Sequence, residues 1–175
     1  MELFYPSNIW QHCPYCGSTH INWGNGTHQM ACSACGRIFF INASAAVVAL
    51  IQNDKKELLF THRKNDPAKG TLDLPGGFVD LNETAEEAIK REVKEELNII
   101  VEDLNFFGSF PNRYLYGGIV YFTLDLVFRC TVNDFSSLSA ADDVADFDFI
   151  SLNDIKPDRI GLESIRNVIL KFKEQ

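Results

Sequence analysis

Three glutamates with helical spacing are the residues of this chain that most directly suggest chemistry. Glu92, Glu95 and Glu96 lie in the stretch IKREVKEEL, and on a helix they share an arc about 100° wide. Ala85 and Ala88 share that arc, so we expect the three carboxylates to point towards the protein body rather than to solvent. Carboxylates this close repel one another unless a cation lies between them, which predicts a site for Mg²⁺ or Mn²⁺.

Both ends of this predicted helix, residues 83–97, carry boundary signals. On the N-terminal side, Leu74-Pro75-Gly76-Gly77 ends a strand and lets the backbone approach a bound ion or phosphate closely. On the C-terminal side, Asn98 stands where a left-handed cap residue is needed, a position at which asparagine is second to glycine. The glycine turn and the helix are therefore expected to face one metal site.

The segment from the glycine turn to residue 99 resembles the signature of Nudix hydrolases, G-x5-E-x7-R-E-U-x-E-E-x-G-U, in which U is aliphatic. Asn98 replaces the last glycine, and both residue types serve as left-handed caps. The other positions match in register: Gly77, Glu83, Arg91, Glu92, Val93, Glu95, Glu96 and Ile99.

The resemblance implies roles for these residues in hydrolysis of a diphosphate linked to another group, typically a nucleoside. It implies that the metal is held by three carboxylates and one backbone carbonyl: Glu92, Glu95, Glu96 and Gly76. It also implies a supporting ion pair between Glu83 and Arg91. A carboxylate takes a proton from the water that attacks phosphorus; Glu95 is expected closest to metal and water, and which carboxylate acts as the base is open.

Two neighbouring segments have open interpretations. The family often carries a further acid in a later loop, and Asp142 or Asp143 is the nearest residue in the chain. Arg63 and Lys69 precede the glycine turn, where they either belong to a solvated loop or contact the substrate phosphate.

A second set of metal ligands lies near the N-terminus. Two C-x2-C pairs, separated by fifteen residues, have the spacing of a structural tetrahedral zinc site: Cys13, Cys16, Cys32 and Cys35. Short strands at residues 21–23 and 27–31, joined by a turn at 24–26, complete a predicted zinc ribbon. Disulfide and redox functions are the less favoured alternatives. Cys130 is expected to be a buried apolar residue.

Composition narrows the class of protein. With 175 residues, 46% hydrophobic residues and a formal charge of −8, the chain is expected to be globular and not to bind nucleic acid through a basic surface. The longest apolar run, residues 45–51, is too short to cross a bilayer, and no signal segment opens the chain, so we expect a cytoplasmic protein without a membrane partner.

The order of predicted elements indicates the fold class. Residues 1–41 are predicted to form the zinc ribbon and residues 42–175 an α/β domain, the Nudix α/β/α sandwich on a mixed sheet. Within it, residues 57–61 are expected to pair as a hairpin with the strand at 45–51. A long strand at 119–132 and a closing amphipathic helix follow.

A zinc ribbon ahead of a Nudix domain resembles the NADH pyrophosphatase branch, whose members also cleave NAD caps from RNA. That branch carries an S-Q-P-W-P-F-P-x-S tract, which this chain lacks: Trp10 and Trp23 both precede the glycine turn. The predicted substrates are ADP-ribose, NADH or a related dinucleotide or nucleotide sugar, with a capped RNA end as the one nucleic-acid partner. The resemblance also implies a homodimer. The alternatives are a regulator that binds a nucleotide sugar without cleaving it and a nucleic-acid-binding protein led by its ribbon.

Overall fold

The computed structural model describes residues 4–24 and 28–174, apart from the side chain of Tyr114. These residues form two compact units: one contains the chain up to Ala43 together with Arg113–Phe122, and the other contains Ser44–Asn112 and the chain from Thr123 onwards. The predicted boundary between residues 41 and 42 stays a prediction. Most of the predicted turn at 24–26 lies outside the described residues.

The first unit is a three-stranded antiparallel sheet preceded by one helical turn. Its elements are α1 (Pro6–Ile9), β1 (Ile21–Trp23), β2 (Gln29–Cys32) and β3 (Ile38–Phe40). The central strand is β2, which pairs with β1 from Ile21↔Cys32 and with β3 from Gln29↔Phe40. The first strand has its predicted bounds, and the second is displaced by one or two residues.

The second unit is built on two three-stranded sheets. Its strands are β4 (Ser44–Ile51), β5 (Leu58–Arg63), β6 (Leu72–Asp73), β7 (Asp103–Tyr116), β8 (Ile119–Thr131) and β9 (Val144–Ile150), with β7 and β8 continuing into the first unit. Its helices are α2 (Ala85–Leu97) and α3 (Glu163–Lys173). In one sheet β8 lies between β4 and β7, and in the other β5 lies between β6 and β9.

The predicted hairpin of β4 with β5 is wrong. The two strands share a single bridge between Gln52 and Leu58 and then belong to different sheets. Instead, β4 pairs in parallel with β8 along its whole length, from Ser44↔Thr123 to Ile51↔Cys130. The reason is that β4 and β5 are both buried along most of their length, so each has the character of an interior strand that can accept partners from distant parts of the chain.

The core shows how the helices cover the sheets. Alternate residues of β4, Val47 and Ala49, belong to the apolar cluster that contains α2, while Val48 and Leu50 belong to the cluster that contains α3. Each large side chain buried in this way contributes about 1.5–3 kcal/mol. The arrangement confirms the predicted α/β/α sandwich on a mixed sheet. Within the described residues, no helix combines the length and apolar character needed to cross a membrane.

Candidate functional site

The acidic helix α2 begins and ends through local side-chain chemistry. Thr84 is its N-cap: its hydroxyl accepts from the N–H of Glu87 (3.2 Å), and the Glu87 carboxylate accepts from the N–H of Thr84 (2.9 Å). This capping box was missed in the sequence, although Thr-x-x-Glu before an apolar run is its signature. Asn98 is the predicted left-handed cap, with φ 55°. The helix therefore has fixed ends, which sets the position of its glutamates.

The glycine turn runs alongside β4. Two amides of β4 donate to the carbonyls of Pro75 and Gly77, both at 2.8 Å, and Gly76 is the residue between these two in the chain. A Cβ atom on Gly76, whose φ is 146°, would overlap the backbone of Val47, and one on Gly77 would overlap the carboxylate of Glu92. Gly76 therefore requires glycine, because its Cβ would meet the backbone of β4, whereas a side chain on Gly77 would displace the end of the Glu92 side chain.

The three glutamates differ in exposure, so the expectation that all three point inward is wrong for one of them. Glu96 is 8% exposed and accepts from the N–H of Gly76 (3.0 Å), whereas the side chains of Glu92 and Glu95 are 14% and 48% exposed. On the helix, Glu96 lies nearest the buried stripe, Glu92 next and Glu95 farthest, as a spacing of about 100° per residue requires. Burial, together with nearby Glu92 and Asp73, raises the pKa of Glu96 to about 8.

One guanidinium connects most of these carboxylates. Arg91 donates from Nε and Nη2 to both oxygens of Glu83 (2.8 and 2.9 Å), so the predicted ion pair is present and bidentate. Its Nη1 donates to Glu92 (2.8 Å) and Glu95 (3.1 Å), and its Nη2 also donates to the carbonyl of Phe78 (3.0 Å). The Arg91 hydrogen bonds lower the pKa of Glu83 to about 2, so this carboxylate is ionised across the physiological range.

Two of the residues with open interpretations now have partners. Arg63 donates to the carboxylate of Asp73 (2.5 Å) and to the carbonyl of Pro67 (2.7 Å). Since Asp73 directly precedes the glycine turn, these contacts give Arg63 a structural role beside that turn. Asp143 accepts from the side chain of Asn65 (2.7 Å). Asp142 is close enough to the glutamates to raise the pKa of Glu92 and Glu96, although for each of them burial is the larger cause.

The oxygen donors suit a hard divalent cation, but they are not gathered around one point. Within the part of the chain that the structure describes, no three carboxylates have oxygens within 4.8 Å of one another. The reason lies in their partners: Glu92 and Glu95 turn to Arg91, while Glu96 turns to the Gly76 amide. The buried carboxylate of Glu96 accepts a hydrogen bond from one amide, and its pKa is raised. A bound cation would supply the positively charged partner that this carboxylate does not have.

The cysteine cluster is already assembled. The Sγ atoms of Cys13, Cys16, Cys32 and Cys35 all lie within 4.8 Å of one another. Two of the separations, Cys13 to Cys35 and Cys16 to Cys32, are 3.8 and 3.7 Å, close to the edge of about 3.8 Å expected for a tetrahedron with Zn–S bonds of about 2.3 Å. Disulfide bonds require about 2.05 Å, and all four residues are free thiols. The cluster is therefore compatible with the predicted zinc ribbon.

The backbone builds this cluster from two equivalent turns. The carbonyl of Cys13 accepts from the N–H of Gly17 (2.9 Å), and that of Cys32 accepts from the N–H of Gly36 (2.8 Å). Although burial raises the pKa of Cys13, the N–H groups of Cys16 and Tyr15 and the thiols of Cys16 and Cys32 outweigh it and lower that pKa to about 7. The backbone hydrogen bond with Ser18 lowers the pKa of Cys16, but burial and the neighbouring thiols raise it to about 12. One thiol of the cluster thus ionises most easily, and its thiolate is the form that binds metal.

A buried polar pair on β8 was not anticipated from the sequence. Thr123 and Asp125 are two residues apart and therefore lie on one face of β8, and the structure buries both, while Leu124 is 40% exposed. The Thr123 hydroxyl donates to Asp125 (2.7 Å), and burial raises the pKa of this carboxyl. No local pattern shows that a strand will bury its polar face, because that depends on what packs against it.

Comparison with known proteins supports the family indicated by the glutamate helix. The sequence model of the NUDIX domain matches residues 42–171. An ADP-ribose pyrophosphatase from Methanocaldococcus jannaschii is 35% identical over 138 residues, which cover 77% of this chain and 77% of that protein. The NAD-capped RNA hydrolase NudC of Vibrio atlanticus is 31% identical over 159 residues, covering 90% of this chain but only 56% of that relative.

A solved structure agrees on the fold. The crystal structure of a NUDIX hydrolase from Nitrosomonas europaea superposes with a TM-score of 0.68 at 21% identity, covering 93% of this chain and 89% of that one. The resemblance, the fold class and the enzyme class expected from the sequence, a Nudix pyrophosphohydrolase, agree with these findings. The chain belongs to the Nudix family.

Proposed function

We propose that this protein is a metal-dependent hydrolase that cleaves the diphosphate linkage of a nucleoside diphosphate derivative. The observation that carries the proposal is a pair of partly or fully buried carboxylates beside the glycine turn: Glu92, which pairs with Arg91, and Glu96, which has the amide of Gly76 as its partner and no cation. Such a site is costly to form without a cation, so its presence supports metal binding rather than a purely structural role.

The residues fit a divalent cation of the Mg²⁺ or Mn²⁺ type. Glu92, Glu95 and Glu96, with the carbonyl of Gly76, would hold it, and a bound ion of this kind neutralises phosphate oxygens and lowers the pKa of a coordinated water. Arg91 orients Glu92 and Glu95 by donating to both from its Nη1. Glu95, the most exposed of the three, is open to a substrate and its attacking water. A carboxylate takes the proton as water attacks phosphorus and the bridging P–O bond breaks.

For the substrate, adenosine diphosphate compounds are the first choice. The names of the two relatives contain ADP-ribose and NAD, and both molecules include an adenosine diphosphate unit. ADP-ribose ranks first because the M. jannaschii protein matches over 77% of its own length. Other dinucleotides, including NADH, and nucleotide sugars follow.

A capped RNA end is the second candidate. The alignment with V. atlanticus NudC covers 159 residues, more than the 130 residues from 42 to 171 that match the NUDIX domain, so it reaches into the cysteine-containing segment. We further propose that the four cysteines hold one structural Zn²⁺. The homodimer and the cytoplasmic address stay predictions.

The test is a substrate panel. Purified protein is incubated with ADP-ribose, NADH, NAD, a nucleotide sugar, ATP and NAD-capped RNA, with and without added Mg²⁺ or Mn²⁺, and products are separated by chromatography. We expect AMP and ribose 5-phosphate from ADP-ribose, only when metal is added. If folded protein binds ADP-ribose in calorimetry but cleaves nothing, the regulator alternative is correct. Salt-sensitive RNA binding without turnover supports the nucleic-acid-binding alternative.

A further inference from the structure

Three polar side chains on the face of the sheet that α3 covers have no part in the proposed metal site. Thr123 and Asp125 lie on this face because they alternate with Val127, which belongs to the apolar cluster that contains α3. Asn112 lies on the same face of β7, two residues from Phe110 of that cluster. Asn112 and Thr123 stand at the same distance from the two-residue turn that joins β7 to β8, so they are neighbours across these strands. We call Asn112, Thr123 and Asp125 the polar patch.

A row of paired residues connects the polar patch to the glycine turn. Ala46 of β4 pairs with Asp125 on one side and with Phe78 on the other. Paired residues direct their side chains to the same face of a sheet, and neighbouring strands are about 4.8 Å apart, so the row is about 10 Å long. Phe78 directly follows Gly77, at which an added Cβ would meet the Glu92 carboxylate on the opposite face. A ligand that passes around the glycine turn therefore reaches both Glu92 and the row.

Exposure decreases along this row. The Phe78 side chain is 42% exposed and Ala46 is half-buried, whereas Asp125 is only 5% exposed. The other two members of the polar patch, Thr123 and Asn112, are also buried. Because Ala46 carries only a methyl group, the middle of the row leaves space above the sheet. The row therefore has the form of a cleft that is open beside the glycine turn and ends at buried polar groups, which is typical of a site for a small ligand.

The polar patch offers hydrogen-bond acceptors. The Thr123 hydroxyl donates its proton to Oδ1 of Asp125 (2.7 Å), so both of these groups have only acceptor capacity left while the carboxyl is ionised. The Oδ1 of Asn112 is buried and has no hydrogen-bond partner among the described residues. A buried acceptor without a donor destabilises the fold, which calls for an explanation. A ligand group with several N–H donors would satisfy the polar patch.

We propose that the polar patch recognises the exocyclic amino group of the adenine base of the substrate. This amino group has two N–H donors and no acceptor, whereas hypoxanthine carries a carbonyl oxygen at the same position, which would face the oxygens of Asn112 and Asp125. The inference rests on the proposed function for the choice of an adenosine diphosphate compound, but recognition of the base can be measured without turnover. The alternative is that Asp125 only supports the packing of β8.

Binding of two nucleotides that differ only at this position tests the proposal. AMP and IMP are titrated into the protein in a calorimeter with Mg²⁺ present. We expect wild type to bind AMP at least about tenfold more tightly than IMP. Asp125→Asn presents an N–H donor in place of one acceptor, so IMP should then bind at least as well as AMP. Val127→Ala, on the same face of the same strand, is the control: it should lower the melting temperature and leave the preference unchanged.

A second variant is informative even if Asp125→Asn does not fold. Asn112→Leu replaces a buried acceptor that has no partner among the described residues by an apolar group of similar size, so the melting temperature should not fall. Its affinity for AMP should nevertheless fall about fivefold, with that for IMP unchanged. A side chain with a purely structural role would not separate the two nucleotides in this way.

The outcomes separate this proposal from the proposed function. If wild type binds AMP and IMP equally, or if both variants weaken the two nucleotides alike, recognition by the polar patch is overturned, and cleavage of ADP-ribose would still support the proposed function. If the patch distinguishes AMP from IMP as expected but the protein cleaves nothing, the proposed function fails and the recognition stands. Absence of binding of either nucleotide to folded wild type would also overturn the recognition.

Discussion

The two regions proposed to bind metal contrast in how closely their ligand atoms are gathered. The four sulfur atoms of the cysteine cluster lie within 4.8 Å of one another, and two of their separations match the edge of a zinc tetrahedron, while the glutamate carboxylates are turned towards Arg91 and the Gly76 amide. Thiols can be neutral, so two backbone turns suffice to bring them together. Carboxylates repel one another, and each pairs with a nearby donor, here Arg91 or the Gly76 amide, whose place a bound cation would take.

This difference in how the ligand atoms are gathered indicates a different function for each site. A cluster closed by four protein ligands has no room for a substrate and serves the fold. A site whose ligands have alternative partners can admit an ion, a water and a phosphate, and can release products. We therefore expect substitutions of the cysteines to reduce the stability of the fold and substitutions of the glutamates to reduce turnover.

The largest effect is expected from opening the cysteine cluster. Cys13→Ser removes one thiolate of four, and because structural zinc binding contributes on the order of 10 kcal/mol to the folding of small ribbons, zinc content should fall from one ion per chain towards zero. Atomic absorption after gel filtration measures it. Cys130→Ser is the control, because this buried thiol lies outside the cluster and should leave zinc unchanged. One zinc ion per chain in Cys13→Ser would refute the four-cysteine site.

The next largest effect is expected at the exposed glutamate. Glu95→Gln keeps the shape of the side chain and removes the charge that would meet metal and water, so kcat should fall by about 10²–10⁴. Thermal unfolding should be nearly unchanged, since the Glu95 side chain is 48% exposed. Glu86→Gln, on the exposed face of the same helix, is the matched control. Unchanged turnover in Glu95→Gln would remove this residue from the site.

A smaller effect is expected where the glycine turn meets the helix. Gly77→Ala introduces a methyl group that overlaps the Glu92 carboxylate, so Glu92 must rotate away and Mn²⁺ affinity should fall about tenfold. Gly24→Ala is the control, because its Cβ would make only ordinary contacts at 3.7 Å. Calorimetric titration with Mn²⁺ distinguishes the two variants. Equal affinity in both would mean that the position of Glu92 is not important for the metal.

The smallest effect is a pH dependence of stability in the absence of divalent metal. The pKa of Glu96 is about 8 in the folded chain against an ordinary value of 4.5, so between these values the folded state binds the extra proton and stability falls as pH rises. We expect the melting temperature to drop by several degrees from pH 5 to pH 8, and Mg²⁺ to reverse the drop at pH 8. Glu96→Gln should flatten the slope. A wild-type slope that is unchanged in Glu96→Gln would assign it to other groups.

Structural features that depend on residues close together in the chain could be predicted from the sequence. The helix and its Asn98 cap, the cysteine spacing and the ion pair of Glu83 with Arg91 follow from local chemistry or from a contiguous motif, and the structure contains all of them. The family and fold class followed from the same motif and are confirmed.

What the sequence did not predict depends on contacts between distant segments. The parallel partner of β4 is β8, and Lys64 meets Asp142 across 78 positions, so neither contact has a local signal. The burial of Asp125 depends on what packs against its strand. The exposure of Glu95 is different, because the spacing of about 100° per residue already places this residue farthest from the buried stripe of the helix.

The make-up of the first unit determines how this protein can be divided into fragments. It is discontinuous in sequence, since Arg113–Phe122, at the tip of β7 and β8, belongs to it together with the cysteine-containing segment. Within it, the rings of Tyr5 and Phe122 meet edge to face at 5.5 Å, and Arg113 donates to the hydroxyl of Tyr5 (3.2 Å). A fragment that starts at residue 44 would keep the tip and lose its partners. A deletion of the first unit should therefore remove both the cysteine-containing segment and Arg113–Phe122, with a short turn joining the shortened β7 and β8. Otherwise both segments should be kept.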